Sequence, residues 1–212
     1  MTSQTNSLSS DHESRLVNLI RADAWIIDLL RDVRSLQLPE WCIAAGVIRN
    51  KVWDHLRNYS DRTEPSYIDV LFFDQERAAG SYQGDVEERL SALMPGVNWE
   101  AVKQAAVHRY HNDTPYESIE AAMLRWADQV TAVGAYFTDD DQIVIVAALG
   151  LQDLFDMVVT PNLLTSNADR DYRIRMRSKR WNERWPKLTV VWPGDLTRDQ
   201  TAWAHCRGTG GI

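Results

Sequence analysis

The chain of 212 residues is 44% hydrophobic, enough apolar material for one substantial core. Its formal charge of -7 and isoelectric point near 5.2 argue against a general binder of nucleic acid or anionic membrane, because such proteins draw their affinity from an excess of Lys and Arg. Cys42 and Cys206 lie far apart without metal-type spacing, so the sequence suggests neither a disulfide scaffold nor a zinc site.

Residues 1–13 are polar and rich in Ser and Thr. They lack the apolar run of a signal peptide, and no later segment has the length of a membrane span, so a cytoplasmic protein is expected. The composition assigns 1–13 to a floppy tail, 14–195 to one domain, and 196–212, with its glycine-rich end, to a second tail. From Ser14 to Leu36 the apolar residues recur at helical spacing, with a break suggested between Ala22 and Trp25. Pro39 ends that pattern. Trp41 to Ala45 then reads as a short buried strand leading into Gly46, and Ile48, Val52, Trp53 and Leu56 return to helical spacing. Residues 59–66 form a polar loop, and Tyr67 to Phe73 is a strand with apolar residues on both faces, as in a sheet covered on both sides. A helix over Val86 to Met94 stops at Pro95-Gly96.

Val97 to Val102 predicts another strand, running into a segment where strand and helix are hard to separate. Ser118 caps a predicted helix reaching Ala127. Thr131 to Phe137 and Gln142 to Leu149 predict a hairpin, Gly150 to Phe155 a short helix, and Tyr172 to Trp185 a helix ended by Pro186. Strands interleaved with helices, together with a hairpin, predict an α+β or mixed α/β domain around a mixed sheet.

Alternation along the predicted strand at 67–73 puts Tyr67, Asp69, Leu71 and Phe73 on one face. An ionised Asp69 there is costly unless it is paired or holds a cation. A strand-end aspartate bonded to loop amides or an arginine would also explain it. The strand-to-helix turn Ala45-Gly46-Val47-Ile48-Arg49-Asn50 offers helix-terminal amides, and a glycine that lets a phosphate approach; a plain tight turn is the simpler reading of one glycine.

The run WCIAAGVIRNKVWDHLRNYSDRTEPSYIDVLFFD resembles the bacterial nucleotidyltransferase-like family, a compact branch of the DNA polymerase β-like nucleotidyltransferase superfamily. Trp99-Glu100, Val107-His108, Ala121 to Trp126, Thr131 to Gly134, Gly150 to Phe155 and Lys179-Arg180-Trp181 extend the likeness in order over roughly residues 17–190. The resemblance implies a metal-dependent (Mg²⁺ or Mn²⁺) transfer of a nucleoside monophosphate from an NTP to an acceptor. It places Gly46, Arg49, Asn50 and Lys103 at the nucleotide, and Asp69 and Glu100 at the metal as catalytic acids. Tyr67 stands where the first acid of an Asp-x-Asp pair belongs, and a phenol is a poor Mg²⁺ ligand at neutral pH. The family's Lys-Asn-Gln-Ala-Arg run is also eroded between Ala101 and Ala106. The alternative is a catalytically inactive member that binds a nucleotide, a phosphorylated metabolite or a protein partner in the same cleft.

Two further clusters carry less. His108 and His111 are read as packing residues rather than a zinc site. Arg173, Arg177, Arg180 and Arg184 align on one face of the predicted 172–185 helix, either as a solvated face or as a contact surface for an RNA or protein acceptor. No phosphate-binding lysine loop, dinucleotide fingerprint or nucleophile elbow occurs.

Overall fold

The structure is a computed structural model, described here for residues 2–76, 79–164 and 168–196. Helices α1 (Thr2–Arg21) and α2 (Ala24–Ser35) open it, separated where the sequence suggested a break. Asp23 caps α2 by accepting from the Ile26 amide, and Lys51 and Arg62 hold its carboxylate at 2.8 and 2.7 Å. Strand β1 (Trp41–Ala44) leads into α3 (Gly46–Leu56), followed by β2 (Ile68–Phe72), α4 (Ala79–Leu93), β3 (Trp99–Lys103), α5 (Gln104–His111) and α6 (Ile119–Met123). The hairpin β4 (Gly134–Phe137) and β5 (Ile143–Val146) precedes α7 (Gln152–Asp156), β6 (Val158–Val159), α8 (Ala168–Lys179), α9 (Trp181–Arg184) and β7 (Thr189–Val190).

The five main strands form a mixed sheet in the order β3-β2-β1-β4-β5. Only β2 and β3 are parallel; the other neighbours are antiparallel. The expected mixed sheet with a hairpin is therefore present, and α5 resolves the ambiguous segment after β3 as helix. The main core covers one face: Ile43, Ile68, Val70 and Phe72 from the strands meet Leu16, Ile20, Leu29, Leu30, Val52 and Trp53 from α1, α2 and α3. On the opposite face Cys42, Ala44, Leu71 and Phe73 pack against Tyr116, Ile119 and Met123. That second layer is the smaller one.

Helix α1 runs through the segment that composition assigns to a tail, and His12 is buried, stacked on Phe155 with ring centroids 4.6 Å apart. Tertiary contact can hold a polar sequence in a helix, and here the contact is that of His12 with Phe155, while Ser9 to Asp11 and Glu13 are exposed. Of the expected C-terminal tail 196–212, residues 197–212, with Cys206, lie outside the described residues.

Gly134 shows how closely β1 and β4 approach. A Cβ built there would lie 2.8 Å from Cys42 Sγ and 3.2 Å from the Ile43 carbonyl oxygen. Gly134→Ala is expected to lower stability by about 1–3 kcal/mol through overpacking. A urea denaturation midpoint equal to that of the parent would contradict it.

Candidate functional site

The thinly covered face of the sheet leaves a cleft of about 870 Å³ between the strands, the N-terminus of α3, and helices α5, α8 and α9. Asp69 lies on its floor. In the parallel β2–β3 pair Asp69 is in register with Glu100, and Leu71 with Val102. Registered neighbours on parallel strands share a face and stand about 4.8 Å apart. The two carboxylates therefore sit side by side, Asp69 half-buried and Glu100 at the exposed edge.

Burial, and after it the charge of Glu100, pushes the Asp69 carboxyl up to about 6, against the opposing pull of Arg175, Arg49 and Lys179. Among the described residues neither carboxylate has a hydrogen-bond or ion-pair partner. This sets aside the simpler explanation for Asp69, an aspartate satisfied by loop amides or an arginine.

Tyr67 projects into the same cleft, as alternation requires. Its hydroxyl accepts from Lys179 Nζ at 3.5 Å, and the ammonium lies 5.4 Å from the ring centroid. The position at which the resemblance implies the first acid of the Asp-x-Asp pair is thus held by a phenol engaged with a lysine. Among the described residues no group of three or more His, Cys, Asp or Glu side chains is placed to hold a metal. Two adjacent carboxylates without protein cations on them do suit one Mg²⁺ or Mn²⁺ that completes its shell with phosphate oxygens and water. They do not suit a two-ion cage.

Opposite the acids stands a basic wall. Ala45, before α3, adopts φ 54°, ψ -114°, a left-handed conformation unfavourable for a residue with a Cβ. Its amide donates to the Val133 carbonyl at 2.9 Å, and its own carbonyl accepts from Arg49 N at 2.9 Å. The strained turn starts α3 at Gly46 with no side-chain cap, so amides of the first turn are available at the cleft. Gly46 is also packed close, since a Cβ there would meet Pro65 at 3.2 Å.

Arg49 is 7% exposed and lies over Trp181, 4.2 Å from the ring centroid. Burial lowers its pKa to about 10, so it stays charged at neutral pH, and its Nε has no partner among the described residues. Asn50 acts as a brace: it accepts from Arg49 at 2.8 Å and donates to the Thr63 carbonyl at 3.0 Å.

Lys103 is placed elsewhere. It alternates with Trp99 and Ala101, is in register with Phe72, and is buried on the main-core face, away from the cleft. The arginine stripe is broken too. Arg180 has φ 45°, which ends α8 and starts α9, so the single helix expected over 172–185 is two. Arg173 pairs with Asp169 at 2.6 Å and Arg180 with Glu183 at 3.3 Å. Of the four, Arg180 and Arg184 line the cleft, where they are joined by Arg175 and Lys179.

Several site residues escaped the sequence reading. Fully buried Asp128 holds Arg175 Nε at 2.6 Å and accepts from the Thr131 amide and hydroxyl at 2.9 Å each. Buried Asp54 accepts from the Thr63 amide at 2.7 Å, the Thr63 hydroxyl at 2.8 Å and Trp185 Nε1 at 3.0 Å, which ties α3 to both walls of the cleft. Only a fold-level contact reveals either role. His108, by contrast, is the packing residue expected, with Nδ1 3.0 Å from the Ala105 carbonyl oxygen and its ring edge-on to Tyr116.

A mixed sheet carrying adjacent acids is here faced by an open helix N-terminus and the buried Arg49, an arrangement with the chemistry to receive an anion. The chain belongs to the Nucleotidyltransferase family, whose model matches residues 31–190. It is similar to an NMR structure described as revealing a CCA-adding enzyme head domain, with 26% identity and a TM-score of 0.75 over 84% of this chain and 95% of that one. A CCA-adding enzyme in complex with CTP shares the fold at 15% identity and a TM-score of 0.54, covering 84% of this chain and 43% of that one. An apo form matches at 14% identity and a TM-score of 0.54, covering 91% and 46%. The chain thus spans less than half the length of those two enzymes. No curated protein matches it. Among the described residues no helix is long and apolar enough to cross a membrane.

Proposed function

We propose that the cleft binds a nucleoside triphosphate together with one divalent cation on Asp69 and Glu100, and that the chain transfers the nucleoside monophosphate to an acceptor at a rate reduced by Tyr67. The observation that carries this reading is the unpaired Asp69 on the cleft floor, in register with Glu100 at the exposed edge and sharing the cleft with Arg49, Arg175 and Lys179. Two like charges side by side gain most from a shared cation, and arginines beyond them suit the remaining phosphate charge. A bound Mg²⁺ or Mn²⁺ would polarise a phosphoryl oxygen. The chain itself orients the phosphates, with Asp128 fixing Arg175, Asn50 fixing Arg49, and the Ala45-Gly46 turn offering amides. The likeness to a CCA-adding enzyme head domain supports the nucleotidyl-transfer reading. For an RNA or protein acceptor, Arg180 and Arg184 at the cleft rim are better placed than Arg173 and Arg177.

The Tyr67–Lys179 contact favours a second reading, in which the cleft binds a nucleotide, a phosphorylated metabolite or a protein partner without turnover. Titration calorimetry with each NTP, with and without Mg²⁺ or Mn²⁺, separates them. NTP binding that requires the cation is expected. Binding indifferent to metal would favour the second reading, and absence of NTP binding under both conditions would reject the nucleotide site.

A further inference from the structure

The cleft has two chemical ends. One is cationic, with Arg49, Arg175 and Lys179 around Asp69. The other lies two residues further along β2 and β3, roughly 7 Å away, where Leu71 and Val102 pair on the same face and α5 begins with Gln104. Gln104 lines the cleft yet is only 2% exposed, and its Oε1 has no hydrogen-bond partner among the described residues. Its Nε2 makes only a long contact of 3.5 Å to the Val102 carbonyl oxygen. A buried amide with a free acceptor is costly unless a ligand completes it.

The surroundings are those of a flat, apolar ligand with polar edges. Tyr110 stands 87% exposed on the next turns of α5 and borders the cleft with Trp126. Arg125 also borders it, but Asp113 at 3.0 Å and the Leu164 carbonyl at 2.8 Å occupy its guanidinium, so this end carries less positive charge than the other, where Arg49, Arg175 and Lys179 gather.

We propose that Gln104, with Leu71, Val102, Tyr110 and Trp126, forms the nucleobase subsite of the cleft, and that the Gln104 amide reads the base edge through an N–H group given to Oε1. The inference rests on the NTP-binding reading and deepens it. Phosphates over Asp69 and the arginines leave a ribose to bridge the step toward Leu71 and Val102. The base then lies against apolar side chains, where its ring gains from desolvation and from aromatic contact with Tyr110. An unpaired acceptor discriminates among bases because each carries its N–H at a different place on its edge, and one whose N–H does not fall at Oε1 leaves it buried and unsatisfied.

The test compares inorganic tripolyphosphate with ATP, CTP, GTP and UTP, all with Mg²⁺, by calorimetry on the full chain and on Gln104→Leu and Tyr110→Ala. For the parent, at least one NTP is expected to bind about tenfold more tightly than tripolyphosphate, with an order of preference among the bases. Gln104→Leu should erase that order and weaken the preferred NTP by about tenfold, leaving tripolyphosphate unchanged. Tyr110→Ala, at an exposed position that the fold does not need, should weaken every NTP several-fold and spare tripolyphosphate. Unchanged NTP affinities and order in Gln104→Leu would overturn the inference. So would a parent protein that binds NTPs no better than tripolyphosphate, although phosphate binding would then stand. Failure of the parent to bind either probe would reject the nucleotide site itself, and this inference with it.

Discussion

Replacing Asp69 with asparagine is expected to abolish metal-dependent nucleotide binding while making the ligand-free fold more stable at neutral pH. The folded carboxyl is held near 6 by burial and by Glu100, above its ordinary value of 3.8. Between those two values the folded state keeps a proton that the unfolded chain has released. Stability of the parent therefore falls as pH rises through that window and is level above it. Asparagine carries no charge, so the variant should lack this fall and gain about 1–3 kcal/mol at pH 7.5. That amounts to a rise of a few degrees in melting temperature. The partner groups sharpen the expectation: Arg175, Arg49 and Lys179 already oppose the shift, and their pull is smaller than the effect of burial.

Binding should respond in the opposite sense. A cation needs the ionised carboxylate, so Mg²⁺-dependent NTP affinity of the parent should drop by about tenfold from pH 7 to pH 5 as Asp69 takes up its proton. In Asp69→Asn it should be absent throughout. Melting curves from pH 4 to 8 and titrations at both ends of that range decide the matter. A variant with the parent's pH profile would show that Asp69 is not destabilising, and retained metal-dependent binding would put the cation elsewhere.

How much of this was legible in the chain differs from residue to residue, for physical reasons. Period-2 alternation in β2 correctly placed Tyr67 and Asp69 on one face, since a strand with both faces covered leaves no freedom of register. The interruption of the apolar pattern between Ala22 and Trp25 marked the break between the first two helices, where Asp23 caps the second, and Gly46 marked the strand-to-helix turn. The same alternation, carried to the end of β3, puts Lys103 on the opposite face from Glu100. The uncertain boundary between strand and helix at that point hid this, and Lys103 was expected at the nucleotide. The break at Arg180 has no glycine or proline to announce it. An arginine in the left-handed region is held there by its tertiary setting, with Trp181 packed on Trp53 and Trp185 bonded to Asp54. The pairing of Arg175 with Asp128 spans 47 residues. Local pattern has no access to such a contact, and so Arg175, which lines the cleft with Asp69, was not singled out, whereas Arg173 and Arg177, which do not line it, were.

Tyr67→Asp should have the second large effect, in the direction of gain. The structure places residue 67 in the cleft, on the face that carries Asp69, with Glu100 beside Asp69 on the next strand. An aspartate there would add a third carboxylate to the pair and complete a cage for divalent ions. Without metal the variant is expected to be less stable. It loses the contact of the ring with Lys179 and sets a new negative charge beside a carboxylate already raised by its neighbour, although Lys179 remains available to pair with it. The loss should be smaller than the roughly 3–5 kcal/mol of a fully buried aromatic, because Tyr67 is only half-buried. Mg²⁺ or Mn²⁺ should restore much of it, since a ligand that binds only the folded state raises its apparent stability. Metal-dependent NTP binding should tighten by about tenfold or more, each tenfold step corresponding to about 1.4 kcal/mol. Pyrophosphate release in the presence of RNA or protein acceptors should rise with it. A folded Tyr67→Asp protein whose melting temperature and NTP affinity ignore the metal would show that Asp69 and Glu100 do not form the beginnings of an ion site. Their pairing would then serve a binding function without turnover, and residue 67 would lose its place as the residue that sets the rate.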